Sequence, residues 1–248
     1  MATTPFASQG DRKRAPREHD EGVRAMFDRI APQYDRLNRF ITGGLDKRWR
    51  RQAIEELNRA PKGPRLDLCA GTLDFAGLLD RTWPDERVVA VDLAEEMMKR
   101  GKHKALRAET VVADVCELPF EDATFAAATC GFGVRNVSDI EAFAREAHRV
   151  LQPRGILVVL EAFRPEQAIP AFLHRAYVGR AFPALGKIFL RERAAYEYFV
   201  ASVGQFVTRR DFESVLRDAG FCAVRGREMT FGVSGLVVAE KRGAEKSR

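Results

Sequence analysis

The chain has 248 residues and a mass of 27.9 kDa, which suits one α/β domain with additional segments. Its hydrophobic fraction of 46% and charged fraction of 31% are typical of a water-soluble globular protein. A formal charge of +6 could reflect binding to an anionic partner, or it could serve only to keep the protein soluble. The basic residues form no dedicated nucleic-acid module, so we expect no nucleic-acid partner.

The cysteines and the apolar runs indicate in which cellular compartment the protein works. None of the four cysteines forms a C-x-x-C pair, which argues against a zinc site and against a redox dithiol. No histidine and carboxylate spacing indicates another metal, so no metal is expected. No apolar run approaches the ~20 residues of a membrane span, and the N-terminus lacks the apolar core of a signal peptide. We therefore expect a cytoplasmic protein.

The beginning of the chain changes character near residue 20. Residues 1–20 are polar and without period, and are predicted to be a disordered tail that includes His19. Apolar residues at helical spacing follow until Pro32, and a second helix is expected over 46–57. These helices are predicted to cover a ligand crevice. The domain is expected to span residues 21–241, with 242–248 as a second tail.

Strands and helices then alternate, which predicts parallel βαβ units and an α/β fold. The predicted strands and helices, in chain order, are strand 65–70, helix 73–82, strand 87–92, helix 94–105, strand 109–113, strand 124–130, helix 138–150 and strand 155–161. Ser138, with Glu141 three residues later, has the spacing of a capping box for the helix over 138–150.

The last third of the chain departs from this alternation. Residues 163–205 mix aromatic and basic side chains and are predicted to be a helical insertion. Thr208 is expected to cap a further helix that Gly220 ends. Two strands near 222–228 and 231–239 then predict an antiparallel hairpin at the edge of the sheet.

The first strand and the turn after it carry the first indication of a ligand site. An apolar strand that ends in a small-residue turn and runs into a helix is how open α/β sheets make a crevice. The turn reads Ala-Gly-Thr-Leu and lacks the G-x-G-x-x-G pattern of pyrophosphate binding. Asp92, about twenty residues on, ends the second strand and suits a ribose diol. A nucleoside without a pyrophosphate, such as S-adenosylmethionine, fits this pattern better than a dinucleotide.

Several polar residues at the first two turns are candidate ligands of such a nucleoside. Asp67 can accept from the ligand ammonium, or form the turn. Thr72 offers a hydroxyl and a backbone N–H to a ligand carboxylate. Asp74 is either a ligand or a helix cap. Asp92 binds the ribose, or caps the next helix.

The third and fourth strands end in further candidate residues. Asp114 can accept from an adenine amine and Val115 can donate its backbone N–H to the ring, unless this is an ordinary surface loop. Residues 118–120 would close the adenine pocket or simply cover the core. After the fourth strand, Arg135 and Asn136 are suited to orienting an oxygenated ring, although a structural salt bridge is the alternative for Arg135. Of the histidines, only His174 in the insertion is considered as a base.

The sequence resembles the class I methyltransferases that C-methylate the quinone ring in menaquinone and ubiquinone biosynthesis. The likeness covers about residues 21–241. It is carried by residues 27–38, the Gly71-Thr72 turn, residues 118–120, residues 132–137 and residues 195–198. The first and fourth of these stretches are much more specific than the cofactor turn.

The resemblance implies a Rossmann-like, seven-stranded, mostly parallel sheet whose last strand is antiparallel. It implies S-adenosylmethionine as the cofactor, and the predicted cofactor-binding residues are Asp67, Gly71, Thr72, Asp92, Asp114, Val115 and Gly131. Two departures matter. Leu73 stands where the family usually has Gly and would crowd the methionine moiety if its φ is positive. Gly131 stands where the family often has Ser, which removes a hydroxyl.

The implied activity is C-methylation of a polyprenyl hydroquinone ring, with demethylmenaquinol favoured as the acceptor. Arg135 and Asn136 are expected to hold the quinol oxygens, and Tyr34 and Asp35 to complete the catalytic pocket. A polyprenyl acceptor suggests peripheral contact of the insertion with the inner face of the membrane, and a homo-oligomer is open. The alternatives are a scaffold that binds the cofactor without activity, and a methyltransferase of another small aromatic acceptor.

Overall fold

Seven strands form one sheet in a computed structural model that describes residues 16–166 and 193–244. The strand order is β3-β2-β1-β4-β5-β7-β6. The strands are β1 Arg65–Leu68, β2 Val88–Asp92, β3 Glu109–Val112, β4 Phe125–Gly131, β5 Leu151–Glu161, β6 Phe221–Met229 and β7 Ser234–Lys241. The first five run parallel, while β7 is antiparallel to both β5 and β6. The predicted α/β sheet with an antiparallel last strand is confirmed.

Eight α-helices lie within the described residues. They are α1 Pro16–Ile30, α2 Tyr34–Ile41, α3 Asp46–Glu56, α4 Asp74–Thr82, α5 Glu95–Gly101, α6 Ile140–Val150, α7 Arg193–Gln205 and α8 Arg209–Asp218. Helix α1 begins five residues before residue 21, where the domain was expected to start, so residues 16–20 belong to a helix and not to a tail. Residues 167–192, most of the predicted insertion and its His174, lie outside the described residues, whereas α7 agrees with the expected helical end of that segment.

Apolar side chains from the helices cover both faces of the sheet. One cluster packs α6 and α8, through Phe143 and Phe212, against β1, β4 and β5. The other packs α3 and α4, through Trp49 and Leu79, against the opposite face. Because successive strand residues point to opposite faces, parallel strands covered on both sides read as continuous apolar runs, as in residues 125–130. The sheet is thereby a rigid base from which its strand ends project.

Two helix caps were predicted from the sequence, and the structure bears out one of them. Thr208 caps α8 with a full capping box to Asp211, as predicted. The cap predicted at Ser138 is wrong: Asp139 is the N-cap of α6, and its carboxylate accepts from the backbone N–H groups of Glu141 and Ala142. The carboxylate is one residue nearer to the donors that the helix leaves open, so it takes that position.

No helix within residues 16–166 and 193–244 is long and apolar enough to cross a membrane. In the same residues, no group of three or more histidine, cysteine or carboxylate side chains is placed to hold a metal ion.

Candidate active site

A cavity of about 890 Å³, measured to its open mouth, lies at the carboxyl ends of β1, β2, β3 and β4. The chain order of the sheet reverses between β1 and β4, and ligands of open α/β sheets bind at such a switch point. The predicted cofactor-binding residues that line it are Asp67, Gly71, Thr72, Asp92, Asp114, Val115 and Gly131.

The turn after β1 is held against the end of β2 by Asp92. The Gly71 N–H donates to Asp92 Oδ2 at 2.8 Å, and the Ala94 N–H donates to Oδ1 at 2.8 Å. Gly71 has a φ of +50°, a conformation that glycine adopts without steric cost. Burial raises the pKa of Asp92, although the bonds from the Ala94 and Gly71 N–H groups oppose this. Asp92 lines the cavity and each oxygen can accept a further bond, so its predicted ribose contact stays open. The alternative cap is wrong, because the N-cap of α5 is Ala94 and this helix has no side-chain cap hydrogen bond.

Asp67 lies deeper, with 1% of its surface exposed. One oxygen accepts from the Ala76 N–H in the first turn of α4, and the other accepts from the Thr129 hydroxyl, both at 2.8 Å. Burial raises the pKa of Asp67 to about 7 in spite of these bonds. The carboxyl group therefore supports the turn and lines the cavity at once.

A polar cluster joins the turn after β1 to the N-terminal helices. The Thr72 hydroxyl donates to Asp35 Oδ1 at 2.6 Å and accepts from Lys104 at 3.1 Å. Lys104 also pairs with Asp35 at 2.6 Å and with Asp74 at 2.8 Å. Partial burial would raise the pKa of Asp35, but Lys104 and Thr72 together lower it. Asp35 thus fastens α2 to the turn and lies outside the lining of the cavity, whereas its neighbour Tyr34 is part of that lining.

The two expected departures have definite structural outcomes. Leu73 has a φ of +62°, the conformation in which crowding was expected, yet its side chain is fully buried in the core and does not line the cavity. A Cβ placed on Gly131 would lie 2.6 Å from the Phe75 ring, which occupies that space. The absence of a side chain at Gly131 therefore makes room for the Phe75 ring in the cavity wall.

The end of β3 supplies the side of the cavity where adenine was expected. Ala113, Asp114 and Val115 line it, and Asp114 Oδ1 accepts from the Cys116 N–H at 2.8 Å. Leu118 is buried in the core rather than in the cavity wall. The Phe120 ring packs edge-on against Phe125 with 5.0 Å between centroids. Of the two interpretations of residues 118–120, the structure supports coverage of the core.

A second polar cluster lies beyond β4, where Arg135 forms a buried ion pair. Arg135 Nη1 donates to Glu161 Oε1 at 2.7 Å, and Glu161 is fully buried. Nη1 also donates to the Phe132 carbonyl at 2.6 Å, and Nε donates to the Ser202 hydroxyl at 3.3 Å. Burial opposes the charge of Arg135, but Glu161 offsets it and the pKa of the guanidinium is raised. The salt bridge considered for Arg135 exists, and the guanidinium lies behind the cavity wall.

Asn136 is the point where three parts of the chain meet. It lines the cavity, and its Oδ1 accepts from the Tyr198 hydroxyl of α7 at 2.8 Å. His19 of α1 lies 3.0 Å, through Nε2, from the Asn136 carbonyl oxygen. His19 is 4% exposed, so its expected place in a disordered tail is wrong. Val23, one helical turn further along α1, packs with Tyr198, which explains why the helix docks here.

The N-terminal helices cover the cavity with apolar surface. Val23, Phe27 and Tyr34 line it, and the Phe27 ring meets the rings of Tyr34 and Tyr198 edge-on at 5.9 and 6.4 Å. Loss of solvent raises the pKa of Tyr34, and the charge of Arg135 opposes that rise. The predicted helical cover of the crevice is thus present.

Comparison with known families matches residues 15–241 to the model of the ubiE/COQ5 methyltransferase family. The chain belongs to this family. It is 39% identical over 217 residues to the ubiquinone/menaquinone biosynthesis C-methyltransferase UbiE of Syntrophotalea carbinolica, covering 86% of this chain and 91% of that protein. It is also 39% identical over 221 residues to the demethylmenaquinone methyltransferase of Thermus thermophilus, covering 87% of this chain and 100% of that one.

Solved structures agree on the fold of this methyltransferase. A S-adenosylmethionine-dependent methyltransferase of Thermotoga maritima, described as a possible histamine N-methyltransferase, superposes with a TM-score of 0.64 at 18% identity. That match covers 88% of this chain and 99% of the other. The geranyl diphosphate C-methyltransferase of Streptomyces coelicolor, solved with S-adenosyl-L-homocysteine, has a TM-score of 0.58 at 15% identity and covers 79% of each chain. Family and fold together make the chain an S-adenosylmethionine-dependent methyltransferase.

Sequence reasoning missed four polar residues that shape the site. Three of them, His19, Arg50 and Lys104, lie on helices and are brought in by packing over distances in sequence that no local pattern reveals. Glu161 could have been found, because it ends a buried apolar strand in the same way as Asp92.

Proposed function

We propose that this methyltransferase transfers a methyl group from S-adenosylmethionine to a ring carbon of a polyprenyl hydroquinone, with demethylmenaquinol as the favoured acceptor. The observation that carries the proposal is the composition of one cavity. Carboxylates stand at the strand ends, where a sulfonium nucleoside would lie, and apolar helices cover the opposite side. The relatives from Syntrophotalea and Thermus, whose names include quinone methylation, support the choice of acceptor.

The acceptor chemistry needs a deprotonated phenol. Loss of the hydroxyl proton raises electron density on the neighbouring ring carbon, which takes the methyl group, and the proton on that carbon then leaves to restore the aromatic ring. S-adenosylmethionine, when bound, supplies the methyl group on a positively charged sulfur. Negative and positive charge disappear together in the transition state, so a site that excludes water favours the reaction. Val23 and Phe27 provide that exclusion here.

Arg135 and Asn136 remain the residues proposed to act on the quinol oxygens. Asn136 reaches the cavity directly, and Tyr198 holds its side-chain oxygen, so the amide orientation is defined. Arg135 acts from behind the wall through its positive charge, which opposes the rise in the pKa of Tyr34 and would favour a phenolate of the acceptor in the same way. Tyr34 contributes a neutral hydroxyl in the wall. Asp35 is proposed to act indirectly, by holding α2 and thereby Tyr34 in place.

Incubation of the purified enzyme with S-adenosylmethionine and reduced demethylmenaquinone in detergent, followed by mass spectrometry of the extracted quinone, tests the proposal. A gain of one methyl group on the naphthoquinone ring, with an equal amount of S-adenosylhomocysteine, is the expected result. A demethylated benzoquinol measured in parallel reports the ring preference. Binding of the cofactor without methylation of either ring would instead support the scaffold function. The position of Leu73 outside the cavity argues against that alternative.

We also propose contact of the enzyme with the inner face of the membrane, because a polyprenyl acceptor resides in the bilayer. The support is sequence composition alone: residues 163–205 combine aromatic side chains with arginines, a mixture suited to an anionic bilayer surface. Flotation with liposomes, with and without anionic lipid, should recover the wild type but not a variant neutralised at Arg175, Arg180 and Arg191. Equal recovery of the two proteins would contradict this contact.

A further inference from the structure

Arg50 of α3 is a buried cation in the wall of the cavity, and one of its donors has no partner. The residue is 5% exposed. Nη1 pairs with Asp46 at 2.6 Å, and Nη2 reaches Asp74 only at 3.4 Å. The Nε atom is buried and finds no hydrogen-bond partner among the residues that the structure describes. A buried donor without a partner is costly, and more so when it is charged, so this Nε–H indicates an acceptor that a bound ligand would supply.

The orientation of the guanidinium shows which edge is open. Nη1 is occupied by Asp46, while Nε and Nη2 together form the side edge of the group. Two parallel N–H donors on one edge match the two oxygens of a carboxylate. The rings of Phe132 and Phe75 lie 5.3 and 5.8 Å from the guanidinium carbon and limit its movement. The room for the Phe75 ring exists because residue 131 is glycine.

Among the charged groups around the cavity, Arg50 is the one best placed to bind a ligand carboxylate. Among the described residues, the lining contains the five carboxylates of Asp20, Asp67, Asp74, Asp92 and Asp114. These suit the sulfonium and ammonium groups of the cofactor but repel its carboxylate. The cations in the described lining are Arg24 and Arg50. The Arg24 side chain is 49% exposed and faces Asp28 at 3.7 Å, whereas that of Arg50 is 6% exposed.

The hydroxyl of Thr72, one of the two groups of this residue expected to meet the ligand carboxylate, is occupied. Its hydroxyl proton goes to Asp35, and Lys104 donates to the same oxygen. Lys104 is itself held by Asp35 and Asp74 and is not part of the lining. A second carboxylate brought to this hydroxyl would face Asp35 and Asp74, whose charges already engage Lys104.

We propose that Arg50 binds the carboxylate of the amino-acid part of the cofactor through its Nε and Nη2 edge. This inference rests on the proposed function, since it concerns the same cavity and the same cofactor. It makes Arg50 the residue that distinguishes an S-adenosyl amino acid from an S-adenosyl amine. Asp46 holds the guanidinium from the far side through Nη1, while Asp74, 3.4 Å from Nη2, borders the open edge.

Binding measurements with two closely related probes test the proposal. S-adenosylmethionine and its decarboxylated analogue differ only in the carboxylate, and calorimetry gives the affinity of each for the full-length protein. The variant Arg50→Gln should bind S-adenosylmethionine about 10- to 100-fold more weakly, the range of one charge-assisted hydrogen-bonded pair. Its affinity for the decarboxylated analogue should change by less than about threefold. Arg48→Gln, an exposed arginine on the same helix, should leave both affinities unchanged.

Two further measurements separate recognition from support of the fold. 5′-Methylthioadenosine lacks the whole amino-acid part, so its unchanged affinity for Arg50→Gln shows an intact nucleoside site. Arg50→Lys keeps the charge without the edge of two donors and should show a smaller loss than Arg50→Gln for S-adenosylmethionine alone.

Equal losses for both probes in Arg50→Gln would overturn the proposal, because they indicate a structural role. Unchanged affinities for both probes would also overturn it and place the carboxylate elsewhere. The two proposals can also fail separately. If the wild type methylates the quinol and Arg50→Gln keeps the full preference for S-adenosylmethionine over the decarboxylated analogue, this inference fails and the proposed function stands. A wild-type protein that binds S-adenosylmethionine but methylates no quinol would count against the proposed function without touching the role of Arg50.

Discussion

The floor and the roof of the cavity are built in different ways. The floor comprises the turns at residues 69–74, 92–94 and 113–115, where carboxylates accept from backbone N–H groups a few residues or one strand away. The roof comprises α1, α2, α7 and the turn Val134–Asn136. Tyr198 of α7 and His19 of α1 reach Asn136 across 62 and 117 positions in sequence. The floor therefore depends on local backbone geometry, whereas the roof depends on tertiary packing and on one buried ion pair.

The largest difference between the two regions is expected from Arg135→Ala in the roof. The substitution leaves the fully buried Glu161 without its cation, and breaking a buried pair from one side costs about 3–5 kcal/mol. Urea unfolding measures this loss of unfolding free energy. The control Arg87→Ala removes an exposed pair with Glu109 and should cost no more than about 1 kcal/mol. Similar unfolding midpoints for the two variants would show that the roof does not depend on this ion pair.

Directly before the floor, in β1, the buried Asp67 should make stability depend on pH. Its folded pKa of about 7 lies above the usual 3.8, so the folded protein binds the extra proton between these values. Its contribution is therefore most favourable below pH 4 and is lost as pH rises towards 7. Between pH 5 and 8 the wild type should lose about 2–3 kcal/mol relative to Asp67→Asn. Denaturation at several pH values checks this, with exposed Asp85→Asn as the control; parallel wild-type and Asp67→Asn curves would refute it.

Leu73→Gly tests whether the floor tolerates a strained residue for reasons of packing. Glycine relieves about 1–2 kcal/mol of left-handed backbone strain, but loss of the buried side chain costs about 2–5 kcal/mol. We expect a net loss of about 1–3 kcal/mol by urea unfolding, with cofactor affinity unchanged by calorimetry. A gain in affinity would mean that Leu73 crowds the methionine moiety after all. Leu106→Gly, at an exposed position, is the matched control.

The smallest effect is expected from Tyr198→Phe in the roof. The change removes one hydrogen bond and leaves Asn136 Oδ1 without that donor, at a cost of about 1 kcal/mol in stability. Because Asn136 lines the cavity, kcat/KM for the quinol should fall about tenfold while cofactor affinity stays constant. Methyl transfer assays at varied quinol and cofactor concentrations separate the two effects. Equal loss in both would assign Tyr198 to the cofactor side.

The difference between floor and roof also explains which site residues could be predicted from the sequence. Asp92, Thr72 and Asp114 were found because each lies at or just beyond the carboxyl end of a strand, and the carboxyl ends of parallel strands meet at one edge. The residue types after the fourth strand pointed to Arg135 and Asn136, with a salt bridge as the alternative for Arg135, but they did not identify Glu161 as its buried partner. His19 was placed in a tail because the polar residues before it hide the start of α1. Arg50 looked like any other arginine of a basic helix, since only the packed structure shows which arginine loses its water.

The contacts that meet at Asn136 have a consequence for co-translational folding. Helix α1 emerges first but meets its contact at His19 only after residue 136 has been made, and Tyr198 arrives 62 positions later still. The strand-end turns can thus assemble before their cover is complete. A nascent chain that stops before α7 would present these turns without the Tyr198 hydroxyl that donates to Asn136, so the contacts at Asn136 are complete only after residue 198 has been made.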